Sequence, residues 1–212
     1  MSIHQNKLRR RRSSLIFKPT SKIYLFDLDN TLFDANRSTF PVIEQLMLRY
    51  LTSVESEKRE SASDKMQRYL QQYGATVKGL IVEHGIEPSD FLEKTHPVGA
   101  LMKGIEQDLS LRRKLLKFKG HRVLISDGPT HYVHAALKAL GVAHLFSTVL
   151  GIETFKYICK SDVEYFKRLL SMLKCAARRA VYLDDRKTCI FAARKSRIRA
   201  YHIRQSSKLR HR

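Results

Sequence analysis

No stretch of the 212 residues approaches the 18 or more consecutive apolar residues that a membrane-spanning helix needs, which rules out a spanning protein. Cysteine is scarce. Cys159, Cys175 and Cys189 are scattered and form no C-x-x-C pair. This argues against a disulfide framework or a thiolate zinc site and makes a reducing, cytoplasmic setting the expectation. No P-loop, G-x-G-x-x-G or G-x-S-x-G is present, which removes the nucleotide-cradling and acyl-transfer mechanisms built on them. Acidic residues are missing from both ends: residues 1–26 hold 7 Lys/Arg, residues 186–212 hold 10, and neither stretch contains Asp or Glu.

That asymmetry explains the formal charge of +20. Between Asp27 and Asp185, 23 basic residues stand against 20 acidic ones, so the middle is a nearly neutral globule with two basic appendages. A high overall charge of this kind is weak evidence for a nucleic-acid-binding face within the fold. Residues 1–21, with the block Arg9, Arg10, Arg11 and Arg12, read as a solvated basic arm. Their acid-free, Arg- and Ser-rich composition also resembles an organelle transit peptide. Residues 205–212 read as a similar basic tail. Weak polyanion binding through these ends is the macromolecular contact they suggest. Hydrophobic residues at 43% and this length suit one domain, or one domain with an insertion, and a monomer or homodimer is expected.

Five short runs rich in β-branched or aromatic residues predict strands: Lys22–Phe26, Arg122–Ile125, Thr148–Leu150, Ala180–Leu183 and Arg199–Ile203. Helical patterns separate the last four. Pro129–Leu140 is one, with Pro129 in the first turn, and Ser161–Leu173 is another, with Ser161 and Glu164 as a capping box. The long gap between the first two strands carries apolar residues at helical spacing: Val42, Ile43, Leu46, Met47 and Leu51, then Met66, Tyr69, Leu70 and Tyr73. A crossover needs only one helix. The expected architecture is therefore α/β: a Rossmann-like parallel sheet of about five strands with helices on both faces (residues 22–35 and 106–204), and a small all-α cap (residues 36–105) inserted after the first strand.

The chemistry is concentrated at strand ends. Asp27 and Asp29, in Phe26-Asp27-Leu28-Asp29-Asn30-Thr31-Leu32, follow the first strand and are expected to share one mouth of the sheet, where open α/β folds place ligands. Asp184-Asp185 follow the fourth. Four carboxylates at one edge repel unless a cation or shared proton intervenes, and they offer enough hard oxygen for Mg²⁺. His131 and His134 lie one helical turn apart but read as exposed or capping residues of an ordinary helix.

In this order the residues resemble the haloacid dehalogenase superfamily of phosphohydrolases, and in particular its pyrimidine 5'-nucleotidase-like branch, over about residues 20–203. Residues 22–34 match the first motif, Val123-Leu-Ile-Ser126 the second, Lys160 the third and Asp184-Asp185 the fourth. Tyr73-Gly-Ala-Thr76, Gly79-Leu80 and His84-Gly85 in the cap are similar to that branch. The resemblance implies a Mg²⁺-dependent phosphomonoester hydrolase acting on a small phosphorylated metabolite such as a nucleoside 5'-monophosphate. It implies Asp27 as nucleophile and Asp29 as acid and base. Mg²⁺ would sit on Asp27, Asp185 and the carbonyl of Asp29, with Asp184 close behind. Ser126 and Lys160 would contact the phosphoryl group, with Asp127 in the same phosphate-binding stretch. Asp127, Ser161, Arg186 and Arg197 depart from the family pattern. Asp127 stands where Asn is frequent, and Arg197 where a glycine usually serves a special backbone angle. Lys156 competes with Lys160 for the third motif. A weakly or non-catalytic descendant that binds nucleic acid or an acidic surface through its basic ends, and a phosphomutase, are the alternatives.

Overall fold

The strand β1 (Ile23–Phe26) sends Ile23 and Leu25 to one face and Phe26 to the other, as the two-residue period of a strand dictates. The computed structural model describes residues 21–54 and 60–204; the basic arm up to residue 20 and the tail from residue 205 lie outside the described residues. Strands β2 (His121–Ile125) and β4 (Ala180–Asp184) flank β1. Strands β3 (Thr148–Leu150) and β5 (Arg199–His202) form the edges, giving a parallel sheet of order β3-β2-β1-β4-β5. Both faces are covered. One buries Ile23, Leu25, Val123, Ile125 and Tyr182 against α8 (Val163–Met172) and α9 (Lys187–Lys195). The other buries Phe26 and Leu124 against α6 (Leu109–Leu116) and α7 (Thr130–Ala139). This is the expected α/β fold, with strand boundaries within one residue of those read from the sequence.

Two helix starts differ from expectation. Helix α8 is capped by Asp162, whose side chain accepts from the Glu164 N–H at 2.9 Å, and not by Ser161. An aspartate is at least as good an N-cap as a serine, so the start shifts by one residue. Pro129 is itself the N-cap of α7 and lies outside its first turn. It has no side-chain acceptor. Glu153, from the loop after β3, instead accepts from the Thr130 N–H at 3.1 Å and the Thr130 hydroxyl at 2.8 Å. Arg197 has φ 62, in the left-handed region that residues other than glycine seldom adopt.

Between β1 and α6 the chain forms α1 (Phe40–Val54), α2 (Ala62–Tyr73), α3 (Thr76–His84), α4 (Pro88–Thr95) and the short α5 (Val98–Leu101). The first four share an apolar cluster of Tyr50, Leu51, Met66, Tyr69, Leu80 and Phe91. Ile152 and Cys159, from the loop after β3, also join it. The cap is thus packed onto the loop that carries Lys160. Across α2 and α3, Glu83 accepts from Arg68 at 2.5 Å, Tyr73 at 3.0 Å and Tyr69 at 3.1 Å.

Gly79 sits inside α3 because the Tyr69 ring lies directly on its backbone; a Cβ there would overlap the ring. Helix propensity alone says that Gly79→Ala should stabilise the protein by about 1 kcal/mol. Overpacking says that it should destabilise by about 1–3 kcal/mol. We expect the destabilisation, read as a lower midpoint in urea or thermal unfolding.

Candidate active site

The parallel register sets the carboxyl ends of β1 and β4 side by side, and the Asp27 N–H continues the ladder by donating to the Leu183 carbonyl at 3.0 Å. The chain then turns sharply. Asn30 takes φ 59, a conformation asparagine tolerates, and its side chain receives the Asn36 N–H at 3.1 Å. That turn brings the Thr31 hydroxyl back to Asp27 Oδ2 at 2.8 Å. The other oxygen of Asp27 meets Lys160 Nζ, and Lys160 also donates to Asp184 Oδ2 at 2.9 Å.

Lys160 is fully buried. Burial works against its charge, but Asp184 and Asp27 outweigh it and push its pKa well above the usual lysine range. Lys156 sits on the exposed side of the same loop with φ 53, so Lys160 is the lysine that reaches the carboxylates. Burial raises the pKa of Asp27 against the pull of Lys160, and the charges of Asp184 and Asp29 add to the rise. Asp184 is also buried, but Lys160, Arg186 and the Tyr182 hydroxyl hold its carboxyl below the ordinary aspartate value.

Asp29 lines the same cavity but keeps different company. Its Oδ1 accepts from the Tyr132 hydroxyl at 2.6 Å. Burial pushes its pKa up to about 6, against that hydrogen bond and the pull of Lys160. Ser126, the residue after β2, is buried, and its Oγ accepts from the Gly128 N–H at 2.9 Å, which leaves the hydroxyl proton free to donate.

Asp27, Asp184 and Asp185 offer carboxylate oxygens within 4.8 Å of one another. An all-carboxylate donor set is hard and suits Mg²⁺. Asp184 already accepts from Lys160, from Tyr182 and from the Arg186 N–H at 2.6 Å, whereas Asp185 makes no ion pair among the described residues. Burial and the Asp184 charge raise the pKa of Asp185. The excess negative charge at Asp185 is what a divalent cation would match, so these residues fit the ion.

Two departures from the family pattern explain each other. Asp127 Oδ2 is ion-paired with the Arg186 guanidinium, and its Oδ1 accepts from the Lys160 N–H at 3.0 Å. Both oxygens of this carboxylate are thus occupied as acceptors. The side chain of Asp127 therefore braces three loops. His131 and His134 are exposed on α7, and His131 Nε2 pairs with the His96 carbonyl at 3.1 Å. Sequence reasoning missed Tyr132, Thr31 and Tyr182. Thr31 was within reach of it, since a hydroxyl four residues after Asp27 in a tight turn can return to it.

A parallel sheet with a helical insertion after β1, four carboxylates at its carboxyl edge and a buried lysine between them define a hydrolase of the haloacid dehalogenase type. Residues 24–203 match the family described as haloacid dehalogenase-like hydrolase, and the chain belongs to that family. It is 25% identical over 194 residues to phosphate metabolism protein 8 of Saccharomyces cerevisiae; the match covers 82% of this chain but only 59% of the yeast protein. Among solved structures it is similar to CbbY of Rhodobacter sphaeroides in complex with phosphate (TM-score 0.60, 14% identity, 90% of each chain). It is also similar to the hydrolase YfnB of Bacillus subtilis bound to magnesium (TM-score 0.57, 17% identity, 90% of each chain). No helix among the described residues is long and apolar enough to cross a membrane.

If Asp127 and Arg186 compensate each other, Arg186→Ser should cost more than Arg186→Ser combined with Asp127→Asn. Coupled neighbours show interaction energies of about 0.5–3 kcal/mol. Arg186 is 39% exposed, so screening puts the expected coupling near the lower end, about 1 kcal/mol. A double-mutant cycle on unfolding and on turnover measures it; additive losses would mean that the pair is incidental.

Proposed function

We propose that the protein is a Mg²⁺-dependent phosphomonoester hydrolase that works through an aspartyl-phosphate on Asp27 and accepts nucleoside 5'-monophosphates. The observation that carries this reading is the split between two carboxylates two residues apart: Asp27 lies against Lys160 and the acidic cluster, Asp29 against Tyr132. An Asp27 oxygen attacks phosphorus while the bond to the leaving oxygen breaks, and Asp29 gives that oxygen its proton. Water then attacks the phosphorus of the aspartyl-phosphate, Asp29 takes up a proton from it, and inorganic phosphate leaves with Asp27 restored. A carboxyl held near pKa 6 is suited to both transfers at neutral pH. Cleavage of a carbon–halogen bond needs no such acid. Ser126 would donate to a phosphoryl oxygen and Lys160 would balance developing negative charge. Held by Asp27 and Asp185, with Asp184 adjoining, Mg²⁺ would offset the charge of the phosphate and the clustered carboxylates.

The cavity supports the substrate class. Its volume is about 510 Å³, and the cap side carries Phe40, Met47, Met66, Leu70 and Phe91, with Glu44, Gln67 and His96 among them. Among the described residues lining it, the cap contributes no Lys or Arg. The two cations, Lys160 and Arg186, are on the floor and already paired. A leaving group with a flat ring to lay against the aromatic and thioether side chains, and polar edges for Glu44 and Gln67, suits this wall better than a second phosphate. This also counts against a mutase, which must hold two phosphoryl positions of one substrate. The phosphate bound to CbbY, the magnesium of YfnB and the name of the yeast relative agree with the same chemistry.

A phosphate-release screen tests the proposal. Nucleoside 5'-monophosphates should be hydrolysed faster than sugar phosphates, and no release from any monoester would overturn it. Asp27→Asn should leave the fold intact and abolish turnover, because an amide is a far poorer nucleophile. Residual activity within about tenfold of wild type would remove Asp27 from that role. EDTA should abolish activity, Mg²⁺ should restore it and Ca²⁺, which prefers looser and higher coordination, should inhibit. Full activity after exhaustive chelation would refute the metal assignment.

A further inference from the structure

Tyr132 looks like an ordinary core residue of α7, with 1% of its surface exposed, yet its hydroxyl stands at a junction. It is 2.6 Å from Asp29 Oδ1 and 3.1 Å from Thr39 Oγ1. A tyrosine hydroxyl has one proton. The short contact to the carboxylate is the charge-assisted one and takes that proton. Thr39, fully buried, is then left to donate its own hydroxyl proton to the tyrosine oxygen. The direction of the chain Thr39 to Tyr132 to Asp29 is thereby fixed, and Asp29 Oδ1 is committed as an acceptor. A proton carried by Asp29 belongs on Oδ2. Thr39 immediately precedes α1, and its carbonyl accepts the N–H of Ile43 in the first turn of the cap.

We propose that Tyr132 is a positioning residue that fixes which oxygen of Asp29 carries the transferable proton, and that through Thr39 it ties this orientation to the entry of the chain into the cap. The inference rests on the reading of Asp29 as the acid that protonates the leaving group. The packing supports a rigid arrangement: the His96 ring meets the Tyr132 ring edge-on at 5.5 Å, and Gly128, in the loop after Ser126, lies so near the ring that an added Cβ would stand 3.1 Å from it. A ring held in this way loses little entropy in keeping its hydroxyl on target.

Leaving-group dependence separates positioning from mere structural support. An alkoxide leaving group, as in uridine 5'-monophosphate, needs the proton; the nitrophenolate of p-nitrophenyl phosphate departs without it. The quantity kcat/KM stops at departure of the leaving group, so it excludes the later use of Asp29 toward water. Positioned proton transfer contributes about 10²–10⁴-fold, so Tyr132→Phe should lower kcat/KM for uridine monophosphate by about tenfold or more. The same variant should lower it by less than about threefold for p-nitrophenyl phosphate, with KM nearly constant for both. Thr39→Val, close to isosteric, should show the same selectivity at smaller amplitude, and it decides the matter if Tyr132→Phe does not fold. Asp29→Asn is the reference. If it discriminates between the two substrates but both other variants lose activity on them equally, or lose none, the positioning role is overturned alone. If Asp29→Asn itself fails to discriminate, the acid assignment falls and the role of Tyr132 falls with it.

Discussion

The ammonium of Lys160 is completely buried, and the site is arranged around the need to keep it charged there. An uncompensated charge inside a protein costs several kcal/mol, so the lysine is tolerable only where carboxylates meet it with good geometry. Asp27 and Asp184 do so from the ends of adjacent parallel strands, and the register of β1 against β4 sets them side by side. Each carboxylate is then held by neutral donors, Thr31 on Asp27 and Tyr182 on Asp184. Asp127 fixes the backbone of Lys160 and is itself neutralised by Arg186. Because two carboxylates share the one ammonium, losing either leaves Lys160 still paired with the other, whereas losing Lys160 would leave two buried like charges facing each other.

That dependence explains which parts of the site are legible in the sequence. Asp27, Asp29, Asp184 and Asp185 announce themselves because each follows an apolar run that can only be a strand, and strand ends of a parallel sheet converge. The five strands are legible for the same local reason. Lys160 is ambiguous with Lys156, because a loop carries no period. Only the exposed, left-handed Lys156 beside the buried Lys160 resolves the register. Asp127 and Arg186 each read as a defect, since the contact that reconciles them spans 59 positions. Tyr132 is hidden more thoroughly: its ring obeys the apolar spacing of α7, while its hydroxyl acts on a residue 103 positions away. Local patterns report burial and ends of elements. They do not report the direction in which the polar tip of a buried side chain points.

Asp162 in place of Ser161, and Glu153 serving the N-terminus of α7, show the same limit at helix starts. A short capping signature locates the end of a helix within a residue, yet the donor groups left over at that end accept whichever oxygen the tertiary structure delivers. For α7 the oxygen comes from the loop that goes on to carry Lys160, so the cap of one helix also anchors the loop on which the site depends.

The insertion completes the division of labour. The sheet edge supplies charge of both signs within a few ångströms, and the cap supplies an apolar wall. Excluding water from that wall strengthens every ionic contact on the floor, because the same charges interact more strongly at lower dielectric. The cap is also mechanically joined to the floor in two places. Ile152 and Cys159 enter its apolar cluster from the Lys160 loop, and Thr39 enters the hydrogen-bond chain that ends on Asp29. A cap joined at both points cannot shift its first helix without disturbing the surroundings of Lys160 and Asp29. The wall contributed by the cap and the charged sheet edge beneath it therefore belong to one packed body.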